Sequence, residues 1–290
     1  MEADDFRRPP QALFIPNRKT RNLHLITLHT LASGSSGNAL AVSQEQSHLL
    51  VDAGISCRRI TQGLHALGLT PEALDAILIT HPHTDHIAGL QTLLKHTRCP
   101  IYATERACRE LAWRLPASED RLAPLPLCRP LEIGSFTVTA FPISHDAPGP
   151  CGFRLDSAGG SVGILTDTGY VPDEAAELLP GVDLAVLEAN HDVETLRSGA
   201  YPYYLKQRIL GPQGHLCNED AARFAVQLAE SGTGELVLAH LSRDNNTPAM
   251  ALRAVETALS AAGLAPALSV APRDRLSQTY QVSWRAVCRK

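Results

Sequence analysis

The sequence has no C-x-x-C pair among its seven cysteines (57, 99, 108, 128, 151, 217 and 288), and their number is odd. That pattern fits free thiols in a reducing compartment rather than a secreted disulfide scaffold. There is no run approaching the ~20 apolar residues that cross a bilayer. The stretch Met1–Pro10 is acidic and then reads Arg-Arg-Pro-Pro, without the apolar segment of a secretion signal. A cytoplasmic location with no membrane partner is therefore expected. Bulk positive charge is also missing: the formal net charge is −4. Any attraction to a polyanion must come from a local basic rim or from bound cations. No internal repeat or low-complexity tract is present. The loop Ala32-Ser33-Gly34-Ser35-Ser36-Gly37-Asn38 lacks the Gly-Lys-Ser/Thr ending of a P-loop, which argues against nucleotide binding of that kind.

What is present is a chain of 290 residues, 44% hydrophobic and 19% charged, a globular composition long enough for a sizeable core. A loose tail is expected over 1–20, with Pro9, Pro10 and Pro16 among charges, and one domain over 21–290. Strand patterns fall at 23–31, 39–42, 48–51, 76–80, 100–103, 136–141, 183–188, 236–239 and near 278–284. A hairpin is read at 153–156 and 161–166, around Ala158-Gly159-Gly160. Helices are predicted at 56–67, 86–97, 104–115, 203–210 and 218–230. Another opens at Thr247-Pro248, a hydroxyl cap followed by proline at the first helical position. Residues 116–130 hold four prolines and read as a surface connection.

The chemistry concentrates at strand ends. Ile77-Leu78-Ile79-Thr80 runs into His81-Pro82-His83-Thr84-Asp85-His86, three imidazoles and a carboxylate within six positions. Both donor types suit zinc, manganese or iron. His81 and His83, two apart, point the same way in an extended loop. Further strands end at or near His145, Asp167, His191 and His240, so polar groups converge on one rim, where sites are commonly built. Asp52 also ends a strand. Ser33, Ser35 and Asn38 are either a plain hairpin connection or donors to a phosphate. Lys206 and Arg208, beside Tyr203 and Tyr204, are either a solvated helix face or phosphate contacts with a base-stacking surface. His191 and His215 are each a structural histidine, a general acid or a substrate contact. His24, His29, His48, His65 and His96 carry no motif and read as structural, and the cysteines read as buried small hydrophobes.

The motif His-x-His-x-Asp-His, with Asp52, His145, Asp167 and His240 in their expected order around it, resembles the signature of the metallo-beta-lactamase superfamily over residues ~23–245. The resemblance implies an α/β fold: a four-layer αββα sandwich of two mixed sheets. It implies two divalent ions, Zn2+ or Mn2+. His81, His83 and His145 would hold one, Asp85, His86 and His240 the other, and Asp167 would bridge them. Asp52 would support the metal loop without ligating. Asp85 and Asp167 would also be catalytic, through a hydroxide shared by ions ~3.5–4 Å apart. Several segments resemble the YycJ/WalJ-like branch. They are Ser33–Asn38, Val51–Ser56, Ile143–Ala147, Thr168–Val171, Leu187–Asp192, 199–209, Gly214–Asn218 and Leu241–Asn246. This branch implies a nuclease acting on double-stranded DNA from 5′ ends. Arg243, Asn245 and Ser35 would then grip a non-scissile phosphate. The alternative on the same two-ion site is a small-molecule phosphodiesterase or a thioester or ester hydrolase. Pro82, Ala189 and Cys217 depart from the branch pattern, and none removes a ligand.

Overall fold

The computed structural model describes residues 25–282. The tail expected over 1–20, His24 and Cys288 lie outside the described residues, as do parts of the first and last predicted strands. Strands β1 (Ile26–Ala32), β2 (Ala39–Gln44), β3 (Ser47–Val51), β4 (Ala76–Leu78), β5 (Ile101–Thr104) and β6 (Leu122–Leu125) belong to one sheet. The second sheet holds β7 (Pro130–Ile133), β8 (Phe136–Pro142), β9 (Cys151–Ser157), β10 (Gly160–Leu165), β11 (Leu184–Glu188), β12 (Glu235–Ala239) and β13 (Ala267–Val270). β14 (Tyr280–Val282) returns to pair with β1, giving the orders 14-1-2-3-4-5-6 and 13-12-11-10-9-8-7. Both sheets are mixed: the β1–β2–β3 and β7–β10 meanders are antiparallel, while β3–β6 and β10–β13 run parallel.

Alternation along the strands builds three apolar layers, because successive side chains point to opposite faces. Leu28, Val42, Leu78, Val138, Phe153 and Val186 meet between the sheets. Their strand neighbours Ile77, Leu50 and Ile101 face α1 (Cys57–Ala66), α3 (Leu90–Leu93) and α4 (Glu105–Arg114). On the far side, Leu165, Leu187 and Leu238 pack on α5 (Asp173–Leu178), α8 (Asn218–Glu230) and α9 (Pro248–Ala261). The result is the αββα sandwich. The predicted cap of α9 forms, with the Thr247 hydroxyl accepting from the Met250 N–H.

Four expectations need correction. The proline-rich 116–130 segment is more than a connection: a 3-10 turn over 116–121 is followed by β6, and β7 starts at Pro130. Proline cannot donate to a ladder, but β6 and β7 are the outermost strands of their sheets, where that loss is tolerated. The helix predicted at 86–97 is two short pieces, α2 (Thr84–Ile87) and α3. The Asp85 carbonyl accepts from the Asn38 N–H and the Gly89 N–H donates to Ala53, so the i→i−4 bond joining the two is never made. Helices α5 and α6 (Val193–Ser198) and strand β13, all short, escaped the sequence pattern. Cys128 is exposed, not buried.

Candidate metal centre and active site

The site sits where strands end. β10, β11 and β12 run parallel, and β8 shares their direction through antiparallel β9, so their carboxyl ends lie on one rim. The loops after β3 and β4 in the other sheet meet them. Asp52, Asp167 and His240 each follow a strand and adopt left-handed backbone, at φ 61°, 58° and 54°. Such a conformation costs of order 1–3 kcal/mol for a non-glycine residue and persists only where the surroundings impose it. Here stitching between loops imposes it. The Asp52 N–H donates to Leu78, and the His240 N–H donates to the Ser33 hydroxyl at 2.9 Å. Gly54 must be glycine, since a Cβ there would stand 1.6 Å from the Asp85 carbonyl oxygen.

Two donor clusters result. In the first, His81 Nε2 and His83 Nδ1 are 3.1 Å apart, and the His145 ring lies 5.0 Å from each of theirs. These three offer donor atoms all within 4.8 Å of one another. The second gathers around Asp167, which is 1% exposed. Its Oδ2 lies 2.8 Å from His240 Nδ1 and 3.4 Å from His86 Nε2. Asp85 Oδ2 stands 3.7 Å from the same His86 nitrogen and is partly open to solvent.

The electrostatics describe a site built for cations. Burial opposes charge on His86, but Asp52 and Asp167 outweigh it and push its pKa up to about 10. His240 is raised to about 9, with Asp167 overcoming burial. Asp167 is held well below the usual carboxylate range, its burial offset by His240 and His86. Burial, then the His86 charge, keeps His81 neutral by lowering its pKa well below the ordinary value. Buried carboxylates thus draw protons onto two imidazoles, a demand for positive charge that divalent ions would meet through the same donor atoms. A divalent-metal centre fits this His/Asp donor set.

Supporting contacts orient the donors. The Asp52 carboxylate accepts from the Thr80 N–H at 2.9 Å and reaches His86 Nδ1 at 2.7 Å. His145 Nδ1 faces the Gly214 carbonyl at 3.2 Å. The Pro82 carbonyl accepts from Arg114, which holds the His loop from the α4 side.

His215 and His191, alike in sequence, occupy different surroundings. His215 lines the cavity, with Nδ1 2.8 Å from Glu188 Oε1 and 3.8 Å from Asp167 Oδ1. His191 is 1% exposed, has no partner for either ring nitrogen and lines none of the cavities around the site. The catalytic expectation for His191 is corrected on that ground. Glu188, fully buried, also accepts from the Thr168 and Leu216 N–H groups. It was missed, although it ends β11 as His and Asp residues end other strands. Asp146 was missed too: it accepts from Arg208 Nε at 2.6 Å and lies 3.5 Å from His145 Nε2. Its place directly after His145 was the available signal.

A cavity of about 400 Å³ opens over the donors, lined by Ser35, Asp85, His83, His145, Arg208 and His215 among others. Of the expected substrate contacts, only Ser35 and Arg208 reach it. Ser33 is occupied by His240. Asn38 is 4% exposed and holds the Gly34 N–H at 2.8 Å and His86 Nε2 at 3.1 Å. Asn245 is 1% exposed and bonds Ser242. Lys206 donates to the carbonyls of Arg197 and Gly199, tying the end of α6 to α7 (Tyr203–Leu210). These four are framework rather than substrate contacts, because their polar atoms are already used inside the fold. Arg243 lines a separate groove.

The family described as a beta-lactamase superfamily domain matches residues 47–241. Exodeoxyribonuclease WalJ of Streptococcus pneumoniae is 39% identical over 239 residues, covering 81% of this chain and 88% of that protein. Exodeoxyribonuclease YycJ of Bacillus anthracis is 37% identical over 236 residues, covering 80% and 89%. Among solved structures, the metallo-beta-lactamase fold protein YhfI of Bacillus subtilis superposes with a TM-score of 0.66 at 20% identity, over 89% of this chain and 99% of that one.

Proposed function

Because the chain belongs to the metallo-beta-lactamase-fold hydrolase superfamily, in the branch of WalJ and YycJ, we propose that it is a metal-dependent exodeoxyribonuclease that digests double-stranded DNA from 5′ ends. The observation that carries this reading is Asp167, buried where the two donor clusters meet. In it, His81, His83 and His145 would hold one divalent ion, Asp85, His86 and His240 would hold a second, and Asp167 would serve both. Zinc and manganese both suit these donors. Such ions, when bound, lower the pKa of water and polarise phosphoryl oxygens.

The protein's own groups supply the rest. Glu188 accepts the Nδ1 proton of His215 and so orients the ring toward the cavity, where the doubly protonated imidazole hands its Nε2 proton to the departing oxygen and is left with its remaining proton on Nδ1. Arg208, aligned by Asp146, and the Ser35 hydroxyl hold non-bridging oxygens in the cavity. Asp52 keeps His86 in register with Asp167. The reading includes a cytoplasmic location, which the free thiols of the described cysteines suit.

The test loads the protein with zinc or manganese. It follows duplex DNA labelled at one end or the other, alongside bis(p-nitrophenyl) phosphate. Progressive shortening from the 5′ end supports the proposal. Cleavage of the small diester alone points to the small-molecule alternative, and cleavage of neither removes the phosphodiesterase reading.

A further inference from the structure

A second cavity, of about 880 Å³, lies apart from the metal-facing one. It lies between the start of α9 and the segment 269–280 that leads from β13 into β14. Three arginines line it, Arg243, Arg273 and Arg275, and no described residue lining it is a carboxylate. In a chain of net charge −4, that concentration of one sign is a local reversal of the bulk field.

The arginines differ in what the fold asks of them. Arg273 Nη2 donates to the carbonyls of Leu241 and Ser242, so it fastens the groove floor to the loop after His240. Arg243 and Arg275 are exposed and make no hydrogen bond or ion pair among the described residues. Their charges are held open rather than used in the fold. Asp244 and Asp274 are their sequence neighbours and line no part of the groove, and Asp244 accepts from the Tyr201 hydroxyl. The exposed side-chain amide of Gln278 adds a hydrogen-bonding group to the groove wall.

The groove adjoins the active site through one loop. Ser33 lines the groove, Ser35 lines the metal-facing cavity, and Gly34 lies between, with the Arg273 side chain 3.6 Å from where a Cβ would be. A polyanion seated over Ser35 therefore meets the arginines directly on passing that loop. We propose that this groove is a binding site for the phosphodiester backbone of the nucleic acid, holding phosphates beyond the one that is cut. The inference rests on the nuclease reading of the metal site and adds to it a second, sequence-independent foothold. Phosphate contacts of this sort register as salt dependence, log Kd changing with log salt by about 0.9 per phosphate neutralised on duplex DNA.

The experiment measures duplex DNA binding by fluorescence anisotropy across a salt series, without turnover metal, and bis(p-nitrophenyl) phosphate hydrolysis with metal. Arg275→Gln is expected to reduce the salt slope by about 0.9 and leave the hydrolysis of the small diester unchanged. The double variant Arg243→Gln/Arg275→Gln is expected to reduce it by about 1.8. Over a fourfold rise in salt, wild type then loses about tenfold more affinity than the double variant. An unchanged slope in both variants, while wild type cuts DNA, overturns the groove and leaves the nuclease reading intact. So does a fall in small-diester hydrolysis for Arg275→Gln, which would make that arginine part of the metal site. If wild type cuts the small diester but neither binds nor cuts DNA, the nuclease reading falls and takes the groove with it.

Discussion

Replacing Asp52 with asparagine tests how the metal loop is held. The carboxylate is buried, with Oδ2 2.7 Å from His86 Nδ1 and Oδ1 2.9 Å from the Thr80 N–H. The gap between an ordinary histidine pKa of 6.5 and the value of about 10 for His86 corresponds to about 5 kcal/mol of preference for the charged ring, shared between Asp52 and Asp167. The Asp52→Asn change keeps the size of the side chain and an acceptor for Thr80. The new amide N–H must then face His86 Nδ1. That moves the ring proton to Nε2, the nitrogen 3.4 Å from Asp167, where a metal would need the lone pair. Loss of such an orienting carboxylate weakens metal binding by about 10–100-fold. Competition for zinc against a chromophoric chelator at neutral pH reads this directly. Nitrogen-15 chemical shifts of His86 report the tautomer. Wild-type affinity with the proton found on Nε2 would refute the reasoning, since it would mean that His86 does not ligate through that atom.

Other outcomes follow from the same geometry. Asp167→Ala should abolish turnover of bis(p-nitrophenyl) phosphate and release at least one metal ion on elemental analysis, and retained activity would contradict its shared position. Gly54→Ala drives a methyl into the Asp85 carbonyl oxygen, 1.6 Å away, so a loss above about 4 kcal/mol is expected in chemical denaturation. His191, pushed down to about 4 by burial, is neutral in the fold and gains a proton more readily when unfolded. Its contribution is complete above pH 6.5 and is lost as pH falls toward about 4, a change of about 3 kcal/mol. Urea titrations of metal-free His191→Leu should show wild type losing about that much relative to the variant across this window. Parallel pH profiles would disprove it.

The sequence by itself determined the donors and much of the frame. His81, His83, Asp85 and His86 fall within six positions, so one loop must bring them together whatever the rest of the chain does. Alternation along 136–141 set the faces of β8, because a strand has a period of two regardless of its neighbours. Distant pairing decided the remainder. Pro124 and Pro130 read as breakers until β6 and β7 turn out to be sheet edges, a property of strand order rather than of residue type. The helix after His86 is cut because Asn38, far off in sequence, takes the Asp85 carbonyl. Lys206 and Arg208 stand two apart on one helix, yet one is spent on carbonyls and the other reaches the cavity. His191 and His215 separate on Glu188 in the same way. A residue's type fixes which bonds it can make, and only the packed chain decides which partner stands within reach.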